Sequence, residues 1–170
     1  NLQQNLSVMF KHSNIKYLVA DIKNSKRISS IFSQHSPNVV FHAAAYKHVP
    51  LLEDNNLVEA FSNNVVGTYN LCEVSIKHKV TNFTLVSTDK AVNPTNIMGA
   101  SKRMAELVSL SFLGNHQTKI NIVRFGNVLG SSGSVIPLFR KQIESGGPLT
   151  ITDKRITRYF MSIPEACGLI

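Results

Sequence analysis

Short apolar runs alternate with segments of helical spacing along most of this 170-residue chain, and that alternation restricts its fold more than any other feature. Val39-Val40-Phe41-His42-Ala43-Ala44, just after Pro37, has the continuous apolar character of a strand buried on both faces. Phe83–Val86 and Ile120–Arg124 repeat it, and Ile15–Ala20, ending at Asp21, reads as an earlier strand. Between them, Lys23–Gln34 reads as a helix, and Leu57–His78 carries Val58, Phe61, Val65, Tyr69, Leu71 and Val74 at helical spacing. Met98–Leu113 is a helix stopped by Gly114, Val135–Glu144 is one stopped by Gly146-Gly147, and Pro164 suits the first turn of another. Strand and helix in this rhythm predict a doubly wound α/β fold with a parallel sheet and right-handed crossovers.

In such a sheet ligands sit beyond the carboxyl ends of the strands. Those ends are Asp21, Ala43–Lys47, Ser87–Lys90 and Phe125–Ser134, which are also the segments richest in polar groups and glycine. The densest chemistry is Ser87-Thr88-Asp89-Lys90, followed by Asn93-Pro94-Thr95-Asn96-Ile97-Met98-Gly99-Ala100-Ser101-Lys102. A carboxylate beside an amine can move protons in both directions if their environments separate their pKa values. Met98 and Lys102 lie four apart on one helix face, so Lys102 points back toward Ser87–Lys90.

The other strand ends admit two readings each. Asp21 suits a helix N-cap or an acceptor for a ribose hydroxyl or adenine amino group. Ala43-Ala44-Ala45 permits either close helix–strand packing or close approach of a flat cofactor, and Lys47 is a solvated loop lysine or an anion ligand. The stretch Gly126-Asn127-Val128-Leu129-Gly130-Ser131-Ser132-Gly133-Ser134 precedes a helix whose first amides could bind phosphate. Arg158 is a rim charge or a bidentate clamp for a diphosphate.

Composition narrows the class. The net charge of +8 is scattered rather than blocked, which suits an anionic small molecule better than nucleic acid. The histidines are dispersed, without metal-ligand spacing. Cys72 and Cys167 are far apart in apolar helical contexts and read as buried thiols of a reducing, cytoplasmic compartment. No run of about 18 apolar residues is present, and the polar start has no signal-peptide character. The chain opens without Met and stops in mid-pattern at Cys167-Gly168-Leu169-Ile170, as a fragment of a longer protein would.

Five segments together resemble a known family. They are Phe41-His42-Ala43-Ala44-Ala45-Tyr46-Lys47-His48-Val49-Pro50-Leu51, Asn64-Val65-Val66-Gly67-Thr68, the Ser87–Lys102 string, Arg124-Phe125-Gly126-Asn127-Val128-Leu129-Gly130-Ser131, and Thr157-Arg158-Tyr159-Phe160-Met161-Ser162-Ile163-Pro164-Glu165-Ala166. The chain resembles the CapD-type polysaccharide-biosynthesis group of extended short-chain dehydrogenases/reductases, nucleotide-sugar 4,6-dehydratases with a Rossmann-like fold, from about Ile15 onward. The resemblance implies a UDP-N-acetylglucosamine-like substrate, a bound NAD or NADP, a homo-oligomer, and no nucleic-acid partner. It also implies roles: Lys90 as the C5 base, Asp89 as the C6 acid, Thr88 and Ser87 at the 4-hydroxyl, and Lys102 at the nicotinamide ribose. Asp21, Ala43 and Ala44 would touch the cofactor. Lys47, Asn127, Val128, Ser132, Gly133, Ser134, Val135 and Arg158 would hold the sugar nucleotide, with the substrate region starting at about residue 126.

Two departures stand out. Most of the superfamily has Tyr four residues before the active-site lysine, and here that position is Met98, a residue that recurs in the CapD-type branch. A thioether is no base, so the C4 hydroxyl must lose its proton through Thr88, Asp89 or water. The glycine-rich fingerprint between the first strand and helix is also missing, so the first strand–helix–strand is expected to be absent. The strand at Ile15–Ala20 would then lack its neighbours, leaving a central sheet edge unpaired and the isolated chain poorly stable or inactive. The same resemblance leaves room for an amino-terminal membrane anchor in the parent protein.

Overall fold

The computed structural model describes residues 14–114, 116–130, 135–151 and 153–170. Its centre is a parallel sheet of β1 (Val39–His42), β2 (Asn82–Thr88) and β3 (Lys119–Phe125), in that order. The apolar runs seen in the sequence supply all three, and β2 is longer at both ends than the sequence reading. Helix α1 (Ser25–His35) precedes the sheet. A short helix α2 (Val49–Glu53) leads into α3 (Leu57–Phe61), a π-helical turn (Ser62–Val66) and α4 (Gly67–Lys77), which together join β1 to β2. Helix α5 (Ile97–Ser111) joins β2 to β3. The parallel register sets His42 opposite Leu85, Ser87 opposite Arg124 and Thr88 opposite Phe125. All three strands therefore release their following loops along one edge.

Phe83 and Leu85 on β2 are fully buried and pack with Ile28 and Phe32 of α1, Leu71, Cys72 and Val74 of α4, and Ala105 of α5. A smaller cluster of Leu52, Ala60 and Met98 sits under the loop that follows β1. Beyond β3 the chain forms a separate two-stranded pair, β4 (Asn127–Val128) with β5 (Phe160–Met161), flanked by α6 (Val135–Glu144) and α7 (Ile163–Gly168). Neither β4 nor β5, each two residues long, stands out in the residue pattern. A Ser162–Glu165 capping box starts α7 at the expected Pro164 turn.

Four expectations change. Ile15–Ala20 forms no ladder: a strand is completed by its neighbours, and among the described residues β1 pairs only with β2. Val19 is 94% exposed, and a trough lined by Leu18, Ile22, Phe32, Val39 and Phe41 runs beside the free edge of β1. Asp21 is not the cap of α1; Asn24 is, accepting from Arg27 N at 3.0 Å, while Asp21 accepts from Lys23 N at 2.8 Å. The long helix over Leu57–His78 is interrupted by the π-helical turn, which turns Asn64 into the interior. Cys167 is exposed rather than buried, because α7 buries only Ala166. Cys72 is buried as expected, and burial pushes its thiol up to about 11. No helix among the described residues is long and apolar enough to cross a membrane.

The buried polar centre has a definite proton count. Thr68 Oγ1 donates to the Asn64 carbonyl at 2.7 Å, so it accepts at 2.8 Å from the Nε2–H of His42. His42 is buried and its Nδ1 has no partner among the described residues. Burial, helped by the nearby Lys102 charge, lowers its pKa to about 3. Below pH 6.5 the unfolded chain takes up this proton and the folded chain does not, so acid favours unfolding. Between pH 6.5 and 4.5, urea titrations are expected to show stability falling by about 1.4 kcal/mol per pH unit from this group. A His42→Gln variant is expected to be less stable at pH 7 and to lose that slope.

Candidate active site

Helix α5 is placed by its first turn. Asn96 caps it, accepting from Gly99 N at 2.8 Å, and Glu53 Oε1 accepts from Ile97 N at 2.6 Å. Gly99 then lies against the backbone of the preceding turn: a Cβ there would stand 2.3 Å from the Lys90 carbonyl oxygen. This contact needs the absent side chain and fixes the helix start against the segment that carries the acid and the amine.

That segment is a single 3-10 turn, Asp89–Ala91, at the end of β2. Thr88 caps it, accepting from Lys90 N at 3.3 Å and donating its hydroxyl to Asp89 Oδ1 at 2.9 Å. Lys90 Nζ donates to the same Asp89 oxygen at 3.0 Å and to Asn127 Oδ1 at 3.0 Å. Partial burial tends to raise the Asp89 pKa, but the hydrogen bonds from Lys90 and Thr88 hold the carboxyl below its usual range. Both side chains stay about one-third exposed and open to a ligand.

One turn along α5, Lys102 is buried and donates from Nζ to the Val86 carbonyl at 2.7 Å. Burial lowers its pKa to about 8, opposed by the charge of Glu106. Glu106, another turn on, is 1% exposed. It accepts from Ser87 Oγ at 2.5 Å, from Arg103 Nη1 at 3.0 Å and from the Arg124 guanidinium, whose Nε lies at 2.7 Å. Burial pushes this carboxyl up, yet the donors outweigh it and hold it at about 2.

Across the cleft, Asn64 holds the loop after β1. Its Oδ1 accepts from Tyr46 N at 2.8 Å, and its Nδ2 donates to Tyr46 O at 3.0 Å and Ser101 Oγ at 2.9 Å. The result is a cleft of about 420 Å³ whose walls include Ala43, Lys47, Ser87, Thr88, Lys90, Met98, Lys102, Asn127, Val128 and Val135. Its floor is the small side chains Ala43 and Ala45. It continues past Lys47 and His48 into a second hollow over Leu51, Leu52 and Glu59.

The structure thus brings most of the sequence-derived residues together. Ala44 faces the trough on the other side of β1, and Asp21, Asp89 and Arg158 lie outside the cleft lining, Asp89 reaching it only through Lys90 and Arg158 donating to its neighbour's carbonyl, Thr157 O. Ser132, Gly133 and Ser134 lie outside the described residues. The Ser87 proton is committed to Glu106 and the Thr88 proton to Asp89, so at the cleft Thr88 can meet a ligand hydroxyl only as an acceptor. Asn64, Gly99, Glu106 and Arg124 went unassigned in the sequence. Glu106 continues the 98–102 face by one turn and was legible there; Arg124 acts only through its register with Ser87.

The cleft suits a ligand rich in hydroxyls. The Lys102 ammonium carries three donors and spends one on Val86 O, leaving two at the cleft wall beside a floor without bulky side chains.

A family model described as "Polysaccharide biosynthesis protein" matches residues 1–170. The chain belongs to that family. It is 54% identical over 154 residues to "Capsular polysaccharide biosynthesis protein CapD" of Staphylococcus aureus, a match covering 90% of this chain and 26% of CapD. The chain therefore spans only about a quarter of the length of that relative. The solved structure of Pen from Bacillus thuringiensis superposes with a TM-score of 0.89 at 40% identity, covering 98% of this chain and 54% of Pen. DesIV of Streptomyces venezuelae, a dTDP-glucose 4,6-dehydratase solved with NAD and TYD bound, gives 0.87 at 21% identity over 98% of this chain and 56% of its own, a likeness of fold. The fold of this family member is accordingly the Rossmann-like one of the extended short-chain dehydrogenases/reductases.

The Gly99 contact is open to test. Gly99→Ala is expected to keep its far-UV circular dichroism and to lose about 1–3 kcal/mol in urea. Its crystal structure is expected to show the Asp89–Lys90 turn displaced and the Lys90–Asn127 hydrogen bond broken.

Proposed function

We propose that this chain carries the catalytic centre of a nucleotide-sugar 4,6-dehydratase acting on a UDP-N-acetylhexosamine for polysaccharide biosynthesis. The observation that supports this most is the Asp89–Lys90 pair, joined by a 3.0 Å hydrogen bond, with Lys90 lining the same cleft as Lys102. Dehydration across C5 and C6 needs a base for a carbon-bound proton and an acid for a departing hydroxyl at once, and a C4 epimerase needs neither. NAD or NADP, when bound, supplies hydride exchange with the sugar. Lys102 donates to the hydroxyls of its ribose, and Ala43 and Ala45 let its flat ring approach.

At rest, Lys90 and Asp89 form an ion pair, which is the opposite of the working protonation state. A proton moving from Nζ to Oδ1 along their hydrogen bond yields a neutral amine and a carboxylic acid together. Expulsion of water from the cleft by the sugar favours that neutral form. Once C4 is a ketone, its hydroxyl proton having left through Thr88 or water, the C5 proton is acidic; Lys90 takes it while Asp89 gives its proton to the C6 oxygen, which leaves as water. Thr88 hydrogen-bonds the C4 hydroxyl. Asn127, which accepts from Lys90, keeps the amine at the sugar face. Lys47, Val128, Val135, the Ser132–Ser134 segment and Arg158 are assigned to the sugar nucleotide, and Asp21 and Ala44 to the outer reach of the cofactor.

The test uses the protein expressed with the flanking sequence its gene encodes, loaded with NAD and given UDP-N-acetylglucosamine. The product is expected to be lighter by one water and, in deuterium oxide, to carry deuterium at C5. Lys90→Ala and Asp89→Asn are expected to slow turnover by about 100-fold or more. A product of unchanged mass with inverted C4 overturns this reading in favour of epimerisation.

A further inference from the structure

We infer that Glu106 is a positioning residue: its carboxylate ties α5 to the ends of β2 and β3 and holds the Lys102 ammonium in its charged form at the cleft wall. The cofactor half of this inference rests on the reading that Lys102 meets a ribose; the electrostatic half stands without it.

Glu106 and Lys102 stand one turn apart on α5 and bind consecutive residues of β2, Ser87 and Val86. The register of β2 and β3 places Arg124 directly beside Ser87, so one buried carboxylate reaches both strands. A carboxylate with 1% exposure that accepts from three side chains is fully committed, and Glu106 has no access to a ligand. Its charge nonetheless acts on one. Lys102 is faced by the neutral His42 from β1, by the Val86 carbonyl from β2 and by Glu106 on its own helix, with Arg124 of β3 behind Glu106; Lys90 shares the cleft. Glu106 is the anionic group in that set. Without it, the buried Lys102 would shed its proton closer to neutral pH, and a neutral amine is a weaker donor to ribose hydroxyls.

Glu106→Gln keeps the shape, removes the charge and turns one accepting oxygen into an amide donor that faces other donors, and Arg124→Gln removes a cation and leaves the carboxylate. The readout is the rate of Lys102 acetylation by acetic anhydride as a function of pH, followed by peptide mass spectrometry on the protein with its native flanking sequence. The midpoint of reactivity is expected to fall by about half to one pH unit in Glu106→Gln and to rise in Arg124→Gln. Damage to packing alone would shift both variants in the same direction. NAD affinity of Glu106→Gln is expected to match the wild type within about twofold at pH 6.5 and to be about two- to fivefold weaker at pH 8. Unchanged midpoints, or shifts of the same sign, overturn the inference and leave Glu106 a structural tether. Lys102→Met separates the two readings: unchanged NAD affinity there defeats the assignment of Lys102 to the cofactor, while the acetylation midpoints still decide the role of Glu106.

Discussion

The site depends on how α5 is fastened to β2. Two side chains one turn apart on the helix, Lys102 and Glu106, bind Val86 and Ser87, which are consecutive on the strand. A single hydrogen bond would leave the helix free to slide or roll; two at matched spacing fix both its height and its rotation. The carboxylate also takes Arg124 from β3, so the same buried charge aligns three elements. Buried charges are costly unless every lone pair is occupied, and Glu106 meets that condition with donors from its own helix and both strands. The Asp89–Lys90 turn extends directly from this fastened strand end.

The opposite wall is organised by an amide rather than a charge. Asn64 sits where the π-helical turn breaks the regular ladder, which aims its side chain into the interior. It binds both backbone groups of Tyr46 and the hydroxyl of Ser101. The loop after β1 has few apolar anchors of its own besides Leu52, so this amide sets where Ala43–Lys47 lies relative to α5. Met98 fills the space beneath, against Leu52 and Ala60. A residue that cannot take a proton thus serves as packing between the two walls of the cleft.

Much of this was legible in the chain. Val39–Ala44, Phe83–Val86 and Ile120–Arg124 announce themselves as short, mostly apolar runs between helical segments, and their carboxyl ends locate the cleft, although β1 is left half open, with Val39 and Phe41 exposed rather than buried on both faces. The Met98–Lys102 spacing correctly aimed Lys102 at the end of β2. Ile15–Ala20 misled because propensity describes one strand, whereas a ladder belongs to two. The Leu57–His78 spacing concealed a π-helical turn because one extra residue barely disturbs an apolar pattern. Asn64 and Arg124 escaped notice for a different reason: their partners, Tyr46, Ser101 and Glu106, are distant in sequence, and only the packed fold brings them within reach.

The close approach of Gly99 to the Lys90 carbonyl has a consequence for how the site meets its ligand. Because the helix start rests directly on the backbone of the Asp89–Lys90 turn, the acid, the amine and Lys102 form one stiff block. The dipoles and charges along the cleft are therefore oriented during folding, and a ligand meets them already in place.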